Sequence, residues 1–181
     1  MLSIPYVVFS IFFFLGMSFW SCVSTPVPTL KDANLLKKEG NLTTNDQNKD
    51  GKPDSWVWHL SPDNPQVVKE EFDLNFDGKV DVQKIYAAGS LTEVLMDFDF
   101  DARFDQHEYY TDGALTKTET SFNPNGKIDT WKFFNQGQLE RTEKDTNGDE
   151  KPDQWTYHEG TNVVKTGKDY NFDGLVDSWT P

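Results

Sequence analysis

Cysteine is almost absent. Cys22 is the only one in 181 residues, so neither an internal disulfide framework nor a cysteine-built zinc site can form. Histidine is scarce as well: His59, His107 and His158 stand far apart and make no zinc spacing. Basic side chains number 17 against 30 acidic ones, for a formal charge of −13, and no Lys/Arg cluster is present to grip a phosphate backbone. That balance argues against a nucleic-acid partner. The sequence also lacks a nucleophile motif, a phosphate-binding Gly loop and a cofactor fingerprint, so the expected class is not an enzyme. Apolar side chains are thin beyond the first 22 residues, about 31 % of the remainder. A chain so acidic and so poor in apolar residues needs an economical architecture or a bound species that neutralises it.

What is present falls into two parts. Met1 to Trp20 is a continuous apolar run without a charged side chain, and it ends at Ser21-Cys22. A small residue before the sole cysteine, at the close of an apolar run, resembles the signal peptide of bacterial lipoproteins. That resemblance implies that residues 1–22 carry the leader and that Cys22 is the lipidated first residue of the mature protein. It further implies a membrane partner through that lipid and a place in the cell envelope, as an outer-membrane lipoprotein facing either side. The other reading is an uncleaved anchor, since about 19 apolar residues just span a bilayer. Residues 23–45, with Pro26, Pro28 and the pair Lys37-Lys38, read as a linker that ends in a first short strand.

The second part, residues 46–181, repeats. Six nine-residue segments begin at Asp46, Asp73, Asp97, Ser121, Asp145 and Asp169, spaced by 24 residues except for a first step of 27. Between them, aromatic and β-branched residues alternate, as in Trp56 and Trp58, Trp131 and Phe133, Trp155 and Tyr157. Gly89, Gly113, Gly137 and Gly160 mark turns between paired stretches. Period-two alternation bounded by Gly turns is a hairpin signal. The expected fold is therefore all-β: an antiparallel meander of repeated hairpins, about ten to twelve strands, open, curled or closed into a barrel. The three surplus residues of the first repeat fall in the turn with Pro62 and Pro65, where added length leaves strand register intact.

The acidic segments place oxygen-bearing side chains at positions 1, 3, 5 and 9, with Gly51, Gly78, Gly126 and Gly174 at position 6. The candidate ligands are Asp46, Asn48, Asp50 and Asp54; Asp73, Asn75, Asp77 and Asp81; and Asp97, Asp99, Asp101 and Asp105. The fourth segment supplies Asn123, Asn125 and Asp129, the fifth Asp145, Asn147, Asp149 and Asp153, and the sixth Asp169, Asn171, Asp173 and Asp177. Hard cations such as calcium take six to eight oxygens, and a tight turn lets alternate side chains converge. These segments resemble calcium loops of the EF-hand, thrombospondin type 3 and integrin-propeller kinds, and imply structural Ca2+. They lack the bidentate Glu of a full EF-hand at position 12, except for Glu108 in the third. The fourth, with a single carboxylate, is expected to be weak or empty.

Ligand positions hold 17 of the 30 acids. Two carboxylates about 5 Å apart repel by roughly 3 kcal/mol at an effective dielectric of 20, which favours a divalent guest. Metal-free turns are the competing reading: Asp and Asn satisfy nearby backbone donors unaided, and Lys52, Lys79, Arg103, Lys127 and Lys151 stand at position 7. Leu74, Phe76, Phe98, Phe100, Tyr170 and Phe172 inside the loops suggest that these segments extend the strands and pack apolar faces. Trp56, Trp131, Trp155 and Trp179 share one repeat position; they are expected to form the core, with a platform for a glycan or protein partner as the alternative.

Overall fold

The computed structural model describes residues 41–123 and 125–181. Cys22, the apolar leader and residues 23–40 of the expected linker lie outside the described residues. Twelve strands follow in chain order: β1 (Leu42–Asn45), β2 (Ser55–Ser61), β3 (Asn64–Phe72), β4 (Val82–Ala87), β5 (Ser90–Met96) and β6 (Gln106–Thr111). The second half continues with β7 (Ala114–Thr120), β8 (Thr130–Asn135), β9 (Gln138–Lys144), β10 (Gln154–Glu159), β11 (Asn162–Lys168) and β12 (Ser178–Thr180). They form one antiparallel sheet in sequential order, each strand bonded to its chain neighbours. The meander stays open, with β1 and β12 as its two edges. No helix occurs among the described residues.

Each repeat is an odd strand, a nine-residue acidic loop, an even strand and a two-residue tip. At the tips Ala88-Gly89, Asp112-Gly113 and Gln136-Gly137 place both central residues at positive φ. That backbone twist suits a two-residue hairpin, and glycine takes it without a Cβ clash. A bulge recurs beside each tip, between Ile85 and Tyr86, Tyr109 and Tyr110, Phe133 and Phe134, and their equivalents. The Thr92 and Thr116 hydroxyls donate to the carbonyls of Ile85 and Tyr109 there.

The first hairpin corrects one expectation. Its tip is Pro62-Asp63, no longer than the others; the surplus instead lengthens β2 to 7 residues and β3 to 9, against 6 and 7 in the later hairpins. Register is anchored at the acidic-loop end, so extra residues push the free end outward as added strand pairs.

Cross-strand register sorts the side chains into two faces. On one face a row runs Trp58, Lys69, Ile85, Glu93, Tyr109, Lys117, Phe133, Arg141, Tyr157, Lys165. Beside it runs Trp56, Glu71, Gln83, Leu95, His107, Glu119, Trp131, Glu143, Trp155, Gly167, Trp179. In the second half, aromatic residues sit on even strands and ionic ones on odd strands. The opposite face is polar there: Thr118, Lys132, Thr142, Thr156, Thr166 and Thr180 form one row.

Among the described residues no second layer of strands covers either face, which alters the expected core. Among the described residues Trp58, Val68, Ile85 and Val94 are the buried apolar side chains, and Trp131 and Trp155 remain half-buried. Packing is lateral. The Arg141 guanidinium lies 4.2 Å from the Phe133 ring centre, and Lys165 Nζ lies 3.7 Å from that of Trp179. Such contacts combine an apolar stem with cation–π attraction. The cations pair with acids two residues on: Lys69 with Glu71, Lys117 with Glu119, and Arg141 with Glu143. Burial works to raise the Glu119 carboxyl, but hydrogen bonds from Lys117 and Tyr109 outweigh it and hold it below the usual range. Burial and a hydrogen bond to Glu70 push the Tyr86 phenol up to about 12.

Replacing Arg141→Ala is expected to destabilise the sheet by about 1–2 kcal/mol, through lost cover on Phe133 and Tyr157. Lys132→Ala, on the polar face, should change it by less than about 0.5 kcal/mol. Urea unfolding compares the two; equal losses would contradict lateral packing as the source of stability.

Candidate metal-binding loops

Five of the six acidic loops share one backbone conformation at positions 4 and 6. Position 4 is left-handed at Lys49, Phe76, Phe100, Gly148 and Phe172, with φ between 59° and 83°. Position 6 is left-handed in all six, including Ala102 (φ 73°) and Glu150 (φ 69°), where the sequence departs from glycine. A bulky Phe in that region is strained, so something must hold it.

What holds it is the first-position carboxylate. Asp73 Oδ1 accepts from the Phe76 N–H and Oδ2 from the Gly78 N–H, both at 2.7 Å. Asp46, Asp97, Asp145 and Asp169 do the same to the amides of positions 4 and 6. The ninth-position Asp reaches back across the loop, and all six accept from the amide of position 2: Asp54, Asp81, Asp105, Asp129, Asp153 and Asp177. Position 5 accepts from the amide of position 7 in every loop. Bonds to an ionised acceptor are the strong kind, so each loop closes on its own acids.

The first and ninth positions also continue the sheet ladder. The Asp73 amide donates to the Asp54 carbonyl and the Asp97 amide to the Asp81 carbonyl, and the pattern repeats to Asp169 and Asp153. Eight carboxylates are thereby drawn into one buried margin: Asp54, Asp73, Asp81, Asp97, Asp129, Asp145, Asp153 and Asp169. Neighbours are one strand spacing apart, about 4.8 Å. Positions 3 and 5 stay exposed, as Asn48, Asp50, Asn75, Asp77, Asp99 and Asp101 show. The apolar residues inside the loops pack no face: Leu74, Phe76, Phe98, Phe100, Tyr170 and Phe172 are all exposed. The left-handed turn at position 4 breaks strand alternation and swings them outward.

Among the described residues one acidic group converges as a cation would require. Asp97, Asp99 and Asp105 of the third loop each present an oxygen within 4.8 Å of the others. Two oxygens on one calcium, each about 2.4 Å away, lie no farther apart than that, so the donor set fits a hard divalent ion. Each carboxylate keeps lone pairs beyond those its backbone bonds use. The expected fourth member, Asp101, stands outside the group. A hydrogen bond from Arg103 holds its carboxyl below the usual range, against slight desolvation, and Arg103 pairs with it directly. In the fourth loop Ser121 supplies no carboxylate, and Asn123 turns its amide nitrogen, not its oxygen, toward Asp129 at 2.9 Å. The remaining loops hold Asn48, Asn75, Asn147 and Asn171 at position 3, each accepting from the amide of position 5.

No family model matches the chain, and no curated protein is significantly similar to it. Two structures of TarM are among the solved structures with some similarity to the chain. One is a point mutant of S. aureus TarM in complex with fondaparinux, alpha-GlcNAc-glycerol and UDP, at 13 % identity and TM-score 0.36 over 68 % of this chain and 22 % of that one. The other is TarM, at 15 % identity and TM-score 0.30 over 75 % and 22 %. The chain thus spans about a fifth of those structures, and likeness at such scores carries no argument about function.

Asp81 is 1 % exposed, and its Oδ2 takes the amides of Leu74 and Asn75. Asp81→Ala should therefore orphan two donors and cost about 2–4 kcal/mol, while Asp77→Ala in the same loop, on an exposed side chain, should cost under about 1 kcal/mol. Denaturant midpoints that moved equally would refute the division of labour between these positions.

Proposed function

We propose that this chain is an exported, lipid-anchored protein of the bacterial cell envelope, an outer-membrane lipoprotein, whose acidic loops hold calcium as structural ions. Its role is structural or interactive, not catalytic. The observation that carries the calcium reading is the third loop, where three carboxylates on one left-handed turn come within ligand distance of one another. Asp97, Asp99 and Asp105 would hold the ion, and its chemistry there is neutralisation of a carboxylate cluster at the sheet margin. Calcium supplied in this way stabilises the folded form by mass action. The exposed position-5 carboxylates Asp50, Asp77, Asp149 and Asp173 would add charge in loops where Asn occupies position 3.

A metal-free reading has its own support. The carboxylates at positions 1 and 9 already satisfy the loop amides, and position-7 cations contribute, as in the Arg103–Asp101 and Lys79–Asp77 pairs. The two readings part at the thermal midpoint. With a dissociation constant on the order of 10⁻³ M, 10 mM calcium should add about 1.4 kcal/mol, or a rise of roughly 3–5 °C. Asp105→Ala should lose the part of that rise that Asp101→Ala keeps. Identical midpoints in calcium and in excess chelator would leave the metal-free reading standing.

The anchor has a separate test. Cys22→Ser expressed in a bacterial host should stop incorporating labelled palmitate and leave the membrane fraction. A variant that stayed there at wild-type level would point to an uncleaved hydrophobic anchor instead.

A further inference from the structure

Along the acidic margin one backbone bond steps from hairpin to hairpin. The amide of a loop's first residue donates to the carbonyl of the ninth residue of the loop before it. Asp73 bonds in this way to Asp54, Asp97 to Asp81, Ser121 to Asp105, Asp145 to Asp129 and Asp169 to Asp153, at 2.7 to 2.9 Å. Six loops make five such steps. The series opens with the Asp46 amide and closes with the Asp177 carbonyl, and among the described residues neither takes part in a step. One is a donor and the other an acceptor, and they stand beside β1 and β12, on opposite edges of the open sheet.

Burial breaks at the same two places. The first-position Asp73, Asp97, Asp145 and Asp169 are buried, as are the ninth-position Asp54, Asp81, Asp129 and Asp153. Asp46 is only half-buried and Asp177 is exposed. Trp179 is 43 % exposed, whereas Trp131 and Trp155, at the same repeat position but between two strands, are half-buried.

The two edges match in direction and in register. β12 is an even strand and β1 an odd one, so β1 of a second copy set beside β12 takes the place that β11 holds beside β10. β10 pairs with β11 by setting Gln154 against Lys168, Trp155 against Gly167 and Thr156 against Thr166. The same repeat positions hold Ser178, Trp179 and Thr180 on β12, and Asn45, Thr44 and Thr43 on β1. Thr44 would thus lie opposite the Trp179 indole, and the Asp46 amide would meet the Asp177 carbonyl. Neither edge strand carries the charge or proline that commonly guards a sheet edge. A strand of any other chain could satisfy the edge amides alone. A copy of this chain also continues the acidic margin, since its first loop arrives at the step where the sixth leaves off.

We propose that copies of this chain associate head to tail, β12 of one pairing antiparallel with β1 of the next, so that the meander and its acidic margin run on across the junction. Each junction leaves one free edge of each kind, which makes the contact heterologous and open-ended. About four residue pairs meet, far fewer than in a stable dimer, so each junction is weak. The formal charge of −13 opposes approach, and salt screens that repulsion. The proposal rests on neither the calcium reading nor the lipid anchor.

Disulfide trapping tests it, in full chains carrying Cys22→Ser and solubilised in detergent. Asn45 and Ser178 fall one pair beyond the step from Asp46 to Asp177, at a non-hydrogen-bonded pair where opposed side chains stand closest. Asn45→Cys chains mixed with Ser178→Cys chains should give a cross-linked dimer on mild oxidation, in a yield that rises with salt. The double variant should give a ladder of higher species, and neither single variant should cross-link to itself. The Asn45 carbonyl is turned to β2, where it accepts from the Asp54 amide, so the Thr44 amide points outward. Thr44→Pro, added to the Asn45→Cys chain, removes that outward donor and should lose the dimer while circular dichroism shows the sheet intact. The proposal falls if the mixture gives no dimer at any salt concentration; slow hydrogen exchange at Thr44 would then show another segment on that edge. It falls as well if a single variant cross-links to itself as readily as the mixture, or if a folded Thr44→Pro chain cross-links like its parent.

Discussion

Among the described residues the sheet is one layer thick and has no second layer to pack against. Within these twelve sequential strands, the burial that a sandwich obtains from a second sheet must come from neighbours in the same sheet. The chain meets that constraint by alternating aromatic rings on even strands with long ionic side chains on odd ones. Arg141 lying over Phe133, and Lys69 4.3 Å above the Trp58 ring, put methylene stems where a facing sheet would otherwise stand. The ion pairs two residues along β3, β7 and β9 hold those stems in place. The low apolar content of the sequence is thus a consequence of the architecture: rings and stems do the covering, and few aliphatic side chains are needed.

The same economy governs the loops. A nine-residue connection with left-handed residues at positions 4 and 6 exposes several amides that no strand can satisfy. Asp at positions 1 and 9 answers them with charge-assisted bonds and, in doing so, is drawn into the sheet margin. This gives the acids two separable duties. Those at positions 1 and 9 cap several amides from the buried margin, while those at positions 3 and 5 take one amide each with Oδ1 and stay at the surface, where their second oxygen faces a cation or the lysine or arginine at position 7. The third loop differs because Asp99 replaces the usual Asn and adds a third carboxylate to the first and ninth.

Much of this was legible in the residues. Equal steps of 24, Gly-marked tips and period-two alternation identify an antiparallel meander, since each of these signals acts locally and repeats. The destination of the aromatic residues was not legible. Alternation says that Trp56, Trp131 and Trp155 share a face and nothing about whether another layer covers it. Phe76, Phe100 and Phe172 misled for a related reason: an apolar residue in a β pattern suggests a packed face, whereas the position-4 backbone turn sends it to solvent. The pairing of Arg103 with Asp101 was visible only as a recurring cation at position 7. The Lys-x-Glu pairs of odd strands, at Lys69-Glu71 and Lys117-Glu119, carried a signal in their spacing that alternation of apolar residues does not read.

Repeat length, strand polarity and loop chemistry belong to the sequence by itself, because hydrogen bonding within a hairpin and amide capping within a loop involve residues near one another along the chain. That the meander remains open, that no second layer of the described residues covers its faces, and that three oxygens meet in the third loop and not four, were decided only in three dimensions. Closure depends on twist accumulated over twelve strands, and the fate of the Asp101 carboxylate depends on where a neighbouring guanidinium comes to rest.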